Sequence, residues 1–126
     1  MQAVLCRLML QHTIHAWGAN INVKRQDVPN ELDAAFAAHN RLFTLECKTA
    51  AMVDKDTNTA NVANILYKVD SLRERFGGVF ASTMLCSVLP LPSPDRQRAA
   101  TLGVQVVSGK DLFRLEELCK QWIKRV

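Results

Sequence analysis

The 126-residue sequence contains no window of the roughly 18 uninterrupted apolar residues that a membrane-spanning helix needs. Its start lacks the basic flank, apolar run and small-residue cleavage site of a secretory signal, so a cytoplasmic protein is expected. There is no Cys-x-x-C pair. Cys6, Cys47, Cys86 and Cys119 are scattered singly in apolar stretches, which argues against a zinc or thioredoxin-type motif and predicts reduced, buried thiols. With five glycines and four prolines, no Gly/Ser linker and no internal repeat, the chain reads as one domain. One tyrosine and two tryptophans are too few for an extended base-stacking platform.

What is present fits a globular domain. Apolar residues make up 48% and charged residues 22%. Surface scaling for this mass gives roughly 6,700 Å² folded against roughly 20,000 Å² unfolded, enough burial for a core without staples. Sixteen basic residues against twelve acidic ones leave a formal charge of +4, which permits an anionic partner such as nucleic acid without requiring one.

The apolar spacing of Val4, Leu5, Leu8 and Met9 predicts a helix over 3–15, followed by a turn at Gly18 and a short strand over 21–25. Alternation over 31–38 and 41–48 predicts a hairpin with His39-Asn40 at its tip. Residues 50–59 read as a polar loop. Val62, Ile65, Leu66, Val69, Leu72 and Phe76 recur at helical spacing and predict an amphipathic helix over 60–76, ended by Gly77-Gly78. A buried strand is expected over 79–89, a rigid bend at Pro90, Pro92 and Pro94, and a short helix over 94–102 capped by Ser93 and stopped by Gly103. A strand over 104–107 and a helix over 110–124, capped by Ser108, complete the chain. This order implies an α/β (α+β) fold with a mixed sheet.

In the predicted hairpin, residues whose numbers sum to 79 face each other. Phe36 then faces Phe43, Ala34 faces Leu45 and Leu32 faces Cys47 on an apolar face, while Asp33 faces Glu46 and Glu31 faces Lys48 on the other. Like charges directly opposed are destabilising. Lys48 compensates in part, and a divalent hard cation bound by carboxylate oxygens would compensate more. Two arrangements satisfy these residues. One is a metal-dependent phosphodiesterase site with Asp33, Glu46 and the Cys47 carbonyl as ligands and Lys48 beside the phosphate. The other is a solvated hairpin end carrying Glu31–Lys48 and Lys48–Glu46 ion pairs.

Asn30-Glu31-Leu32-Asp33, followed after one hairpin by Leu45-Glu46-Cys47-Lys48-Thr49, resembles the PD-(D/E)XK signature of restriction-endonuclease-like nucleases. With Tyr67-Lys68-Val69-Asp70-Ser71-Leu72-Arg73 and Gly77-Gly78, it is similar to the C-terminal nuclease half of CRISPR-associated endonucleases that carry a CARF sensor domain. The resemblance spans most of 30–126. It implies a restriction-endonuclease-like mixed central sheet flanked by helices, and an endonuclease hydrolysing RNA or DNA in antiviral defence. Asp33 and Glu46 would then bind Mg²⁺ or Mn²⁺, Lys48 would be the catalytic lysine, and Tyr67 and Lys68 would contact phosphate or that lysine. It also implies a homodimer acting on single-stranded nucleic acid, switched on by cyclic oligoadenylate through an upstream CARF domain, relative to which this chain would be an excised nuclease domain, a stand-alone relative or a degraded remnant. Such halves usually carry a glutamate on their first helix, whereas 1–26 contains neither Asp nor Glu. A catalytically impaired module for nucleic-acid binding or dimerisation is therefore the alternative.

Other features read as ordinary structure. His12, His15 and Cys6 share helical spacing but lack further convergent ligands for zinc. The stretch from Gly103 to Gly109-Lys110 has the wrong spacing for a phosphate loop, and Asp111 where Ser or Thr belongs. Lys24, Arg25, Arg73, Arg75, Arg96 and Arg98 form either a basic rim for a nucleic-acid backbone or a solvated surface. Trp122 is expected in the core or at a dimer contact.

Overall fold

The computed structural model describes residues 1–25, 28–48, 66 and 81–126. Among them the chain runs α1 (Gln2–Leu10), β1 (Ala16–Arg25), β2 (Val28–Ala38), β3 (Arg41–Lys48), β4 (Ala81–Ser87), α2 (Ser93–Leu102), β5 (Val104–Ser108), a 3₁₀ turn (Gly109–Arg114) and α3 (Leu115–Arg125). The strands form one sheet in chain order, antiparallel from β1 to β3 and parallel from β3 to β5. The expected mixed sheet is therefore present.

The hairpin register agrees with the sequence pattern from Ala38↔Arg41 through Phe36↔Phe43 to Ala34↔Leu45. His39 and Asn40 have φ of 51° and 61°, the double left-handed geometry of the tight turns whose twist matches antiparallel strands. Once that register holds, strand alternation sorts the side chains. Ala34, Phe36, Ala38, Phe43, Leu45, Met84, Cys86 and Val107 share a core with Leu5 and Leu8 of α1 and with Leu115, Cys119, Trp122 and Ile123 of α3. On the other face Leu85 and Val104 pack with Leu91, with Ala99 of α2 and with Leu66, a buried helical residue.

Several expectations need correction. The first helix ends at Leu10, because His12 turns the chain at φ 59°. Gly18 does not turn: it lies inside β1, paired with Ala35, so the strand starts at Ala16. Ser93 is the first residue of α2, with Pro92 at the cap and no side-chain capping bond, whereas Gly103 stops the helix in left-handed geometry at φ 73° as expected. The last helix starts as a 3₁₀ turn. Its three-residue period rotates Phe113 out of the apolar stripe, leaving it 94% exposed. Cys6 is exposed and Cys47 half-buried; only Cys86 and Cys119 are buried among the four free thiols. Trp122 is core, edge-on to Phe43 and Phe36 at 4.8 and 6.0 Å between ring centroids. The loop expected over 50–59 lies outside the described residues, as does the helix over 60–76 apart from Leu66.

Candidate active site

β3 occupies the place in the sheet where pairing changes from antiparallel to parallel. Lys48 at its end stands beside Ser87 of β4, which stands beside Ser108 of β5, so three parallel strands finish in one row. Sites in sheets with parallel strands commonly lie beyond strand carboxyl ends, which makes this end of the sheet a natural place for one.

Glu46 faces the α2 side of the sheet and is 8% exposed. Its Oε1 lies 3.3 Å from the Lys48 Nζ, two residues along on the same face. Asp33 sits where β2 loses its regular pairing. The β1–β2 register passes from Ala19↔Ala34 to Ile21↔Leu32, and Asn20 between them is left-handed at φ 52°. On the other side of β2, the Cys47 backbone N–H donates to Asp33 Oδ2 at 2.8 Å. A carboxylate thus takes an N–H of β3 immediately beyond the last paired residues, Ala34 and Leu45. The structure brings Asp33, Glu46, Cys47 and Lys48 together at one sheet end. Tyr67 and Lys68 lie outside the described residues.

Cys47 marks the centre of this group. Its thiol lies on the α1 side and faces Cys86 across the β3–β4 ladder. The hydrogen bond from the Cys86 thiol holds Cys47 below its ordinary pKa, against the opposing effects of burial and the negative charges of Asp33 and Glu46. The same bond, with burial, pushes Cys86 up. Both carboxylates therefore lie close enough to act on the same residue. Beside it, Met1, Gln2, Ala19, Asn20, Asp33 and Cys47 line a cavity of about 260 Å³.

Among the described residues no group of three or more His, Cys, Asp or Glu side chains stands together as a metal cage. His12 and His15 are both exposed and form no such group. Two carboxylates, one backbone carbonyl and water are nonetheless the hard oxygen donors that suit Mg²⁺ or Mn²⁺, cations that keep several waters and need few protein ligands. The donor set fits. Sequence reasoning missed Asn20 and Cys86 as neighbours of the site. The alternation within β1 carries no signal for a left-handed residue, and parallel pairing across a long crossover has no turn that would set its register.

A family model described as "Card1-like, endonuclease domain" matches residues 6–126. The chain belongs to this family. The resemblance carried by residues 30–33, 45–49 and 67–73 had pointed to such an endonuclease domain. Among solved structures, protein VC1899 from Vibrio cholerae is 33% identical with a TM-score of 0.82, over 97% of this chain and 32% of that one. Can2 from Sulfobacillus thermosulfidooxidans, solved in complex with cyclic tetra-adenylate, is 28% identical with a TM-score of 0.82, over 96% of this chain and 33% of that one. The chain therefore spans about a third of the length of these two relatives. Protein AF1548 shares the fold at 16% identity and a TM-score of 0.58. No curated protein matches the chain. Among the described residues no helix is long and apolar enough to cross a membrane.

Proposed function

We propose that this domain is a metal-dependent endonuclease that hydrolyses phosphodiester bonds of single-stranded RNA or DNA, with Asp33, Glu46 and the Cys47 carbonyl holding Mg²⁺ or Mn²⁺. The observation that carries this reading is the convergence at the end of β3: Cys47 N–H on Asp33 Oδ2 at 2.8 Å, and Lys48 Nζ 3.3 Å from Glu46 Oε1. When bound, the cation supplies an activated water and charge neutralisation at the scissile phosphate. The protein's own residues do the rest. Glu46 orients the Lys48 ammonium, which stabilises negative charge developing on the phosphate. The Cys47 N–H fixes the Asp33 carboxylate against β3, so that both acids keep their positions before substrate arrives. Tyr67 and Lys68 are assigned to phosphate contact on the strength of the motif they belong to.

The relatives' greater length supports a whole protein in which an upstream CARF domain senses cyclic oligoadenylate and activates a cytoplasmic, homodimeric nuclease in CRISPR-associated antiviral defence. Can2 was solved with such a ligand. A second reading is favoured by α1. It brings Met1 and Gln2 to the cavity beside Asp33 but no acid in its first turn, so a single-metal or catalytically impaired module for nucleic-acid binding or dimerisation is the alternative.

Cleavage of labelled single-stranded RNA and DNA with Mn²⁺ separates the two. Glu46→Ala and Lys48→Ala should each lower cleavage by roughly 10² to 10⁴-fold. Unchanged cleavage in both variants rejects the assignment, and absence of cleavage by wild type, with nucleic-acid binding retained, favours the module.

A further inference from the structure

The two sulfurs that meet across β3 and β4 play no part in the proposed cleavage. Cys47 and Cys86 are direct partners in the parallel ladder and project to the same face. Neighbouring strands lie about 4.8 Å apart. That spacing falls within the roughly 4.4–6.8 Å of Cα separation that a disulfide spans, so a bridge closes without parting the strands. Access differs between the partners. Cys47 is half-buried and lines the 260 Å³ cavity beside Asp33, whereas Cys86 is 4% exposed. An oxidant therefore reaches Cys47 first and finds the second thiol on the neighbouring strand directly beside it.

We propose that Cys47 and Cys86 form a peroxide-oxidisable pair, with Cys47 the site of attack and Cys86 the resolving thiol, and that the resulting disulfide disables the adjoining carboxylate site. The Cys47 thiolate attacks one oxygen of hydrogen peroxide: an S–O bond forms, the O–O bond breaks, and the departing hydroxide takes up a proton as water. The Cys86 sulfur then attacks the sulfenic sulfur: S–S forms, S–O breaks, and hydroxide leaves with the Cys86 proton as a second water. In balance, two thiols and one peroxide give one disulfide and two waters.

The structural consequence follows from where Cys47 stands. Its N–H holds Asp33 and its carbonyl is the proposed third ligand, and these groups belong to the two peptides that flank its Cα, so tethering its sulfur about 2.05 Å from that of Cys86 constrains both of them at once. This consequence rests on the metal reading above, whereas the bridge itself does not.

The test uses the full chain carrying Cys6→Ser, which removes the exposed thiol and intermolecular products. After hydrogen peroxide treatment, alkylation and trypsin digestion, the expected product is peptide 42–48 disulfide-linked to peptide 76–96, lost on treatment with dithiothreitol. Cys86→Ala should form no such link and should accumulate a Cys47 sulfenic acid that dimedone traps. In parallel, the rise in melting temperature that Mn²⁺ gives the reduced protein should vanish on oxidation and return with dithiothreitol. Failure to find the linked peptide in the wild-type pair overturns the proposal, whether or not Cys86→Ala folds. A manganese shift that persists in fully linked protein overturns its effect on the site. A reduced protein with no manganese shift refutes the metal reading instead, and the linked peptide still decides the pair.

Discussion

Asp33 carries two roles that a single substitution confuses. Its Oδ2 accepts the Cys47 N–H at 2.8 Å, so Asp33→Ala leaves a donor of β3 without its acceptor whether or not a metal binds. Loss of that partner should cost about 1–3 kcal/mol in urea unfolding. Asp33→Asn keeps an acceptor oxygen and removes the charge. It should therefore unfold within about 1 kcal/mol of wild type yet lose the manganese-dependent rise in melting temperature, since a cation that binds the native state must shift the transition. An Asp33→Asn protein that keeps the full shift would exclude this carboxylate as a ligand. The motif located the acid by its residue type. Its hydrogen bond was not legible, because it belongs to a place where β2 has left regular pairing on both sides.

At the scale of elements, the hairpin tip and the α1–α3 contact make separate predictions. Asn40 at φ 61° occupies a region that side chains branched at Cβ avoid, and Asn40→Val should destabilise by roughly 1–2 kcal/mol in denaturant titrations without affecting metal binding. The first helix is tied to the last through Glu116, whose Oε2 lies 2.8 Å from Arg7 Nε and whose Oε1 accepts from Gln11 Nε2 at 3.3 Å. The Arg7 hydrogen bond holds the Glu116 carboxyl below its ordinary value of 4.5. A depressed native value means that the unfolded chain binds the proton more readily. The stabilisation is therefore complete above the unfolded value near 4.5 and fades as pH falls through the lower native value. Melting temperatures of wild type and Glu116→Gln should accordingly differ at neutral pH and converge in acid. A constant gap across that range would remove the ion pair as its cause. None of this contact was visible in the sequence, since its partners are 109 residues apart.

For the whole molecule, one aromatic cluster couples the site-bearing hairpin to the last helix. Phe36 and Phe43 stack with ring centroids 4.8 Å apart, and Trp122 of α3 packs edge-on to both. These three side chains are nearly fully buried. Trp122→Ala should cost about 3–5 kcal/mol, the usual penalty for emptying such a volume, and should be read as a lower urea midpoint with an unchanged slope. Because the same strands carry Asp33, Glu46 and Lys48, that loss should lower the temperature at which activity disappears. An activity loss at temperatures where the variant is fully folded would contradict a purely structural role.

Local pattern determined much of this molecule. Alternation over 31–48 selected the hairpin register, since a one-residue slip would have placed Asp33 on the apolar face, and the strands keep that register from Ala38↔Arg41 to Ala34↔Leu45, short of the expected Asp33–Glu46 and Glu31–Lys48 pairs. Glycine in left-handed geometry ended α2 where expected, and helix–strand alternation implied the mixed sheet. Tertiary structure decided what no neighbouring residues encode. Gly18 became strand because β2 offered a full edge to pair with, Phe113 turned outward because a 3₁₀ start altered the period, and Cys86 came to face Cys47 through a parallel register set across a long crossover. The difference has one physical source. Periodicity reports which side of an element is apolar, whereas the choice of partner for that side is settled only when distant segments compete to bury the same surface.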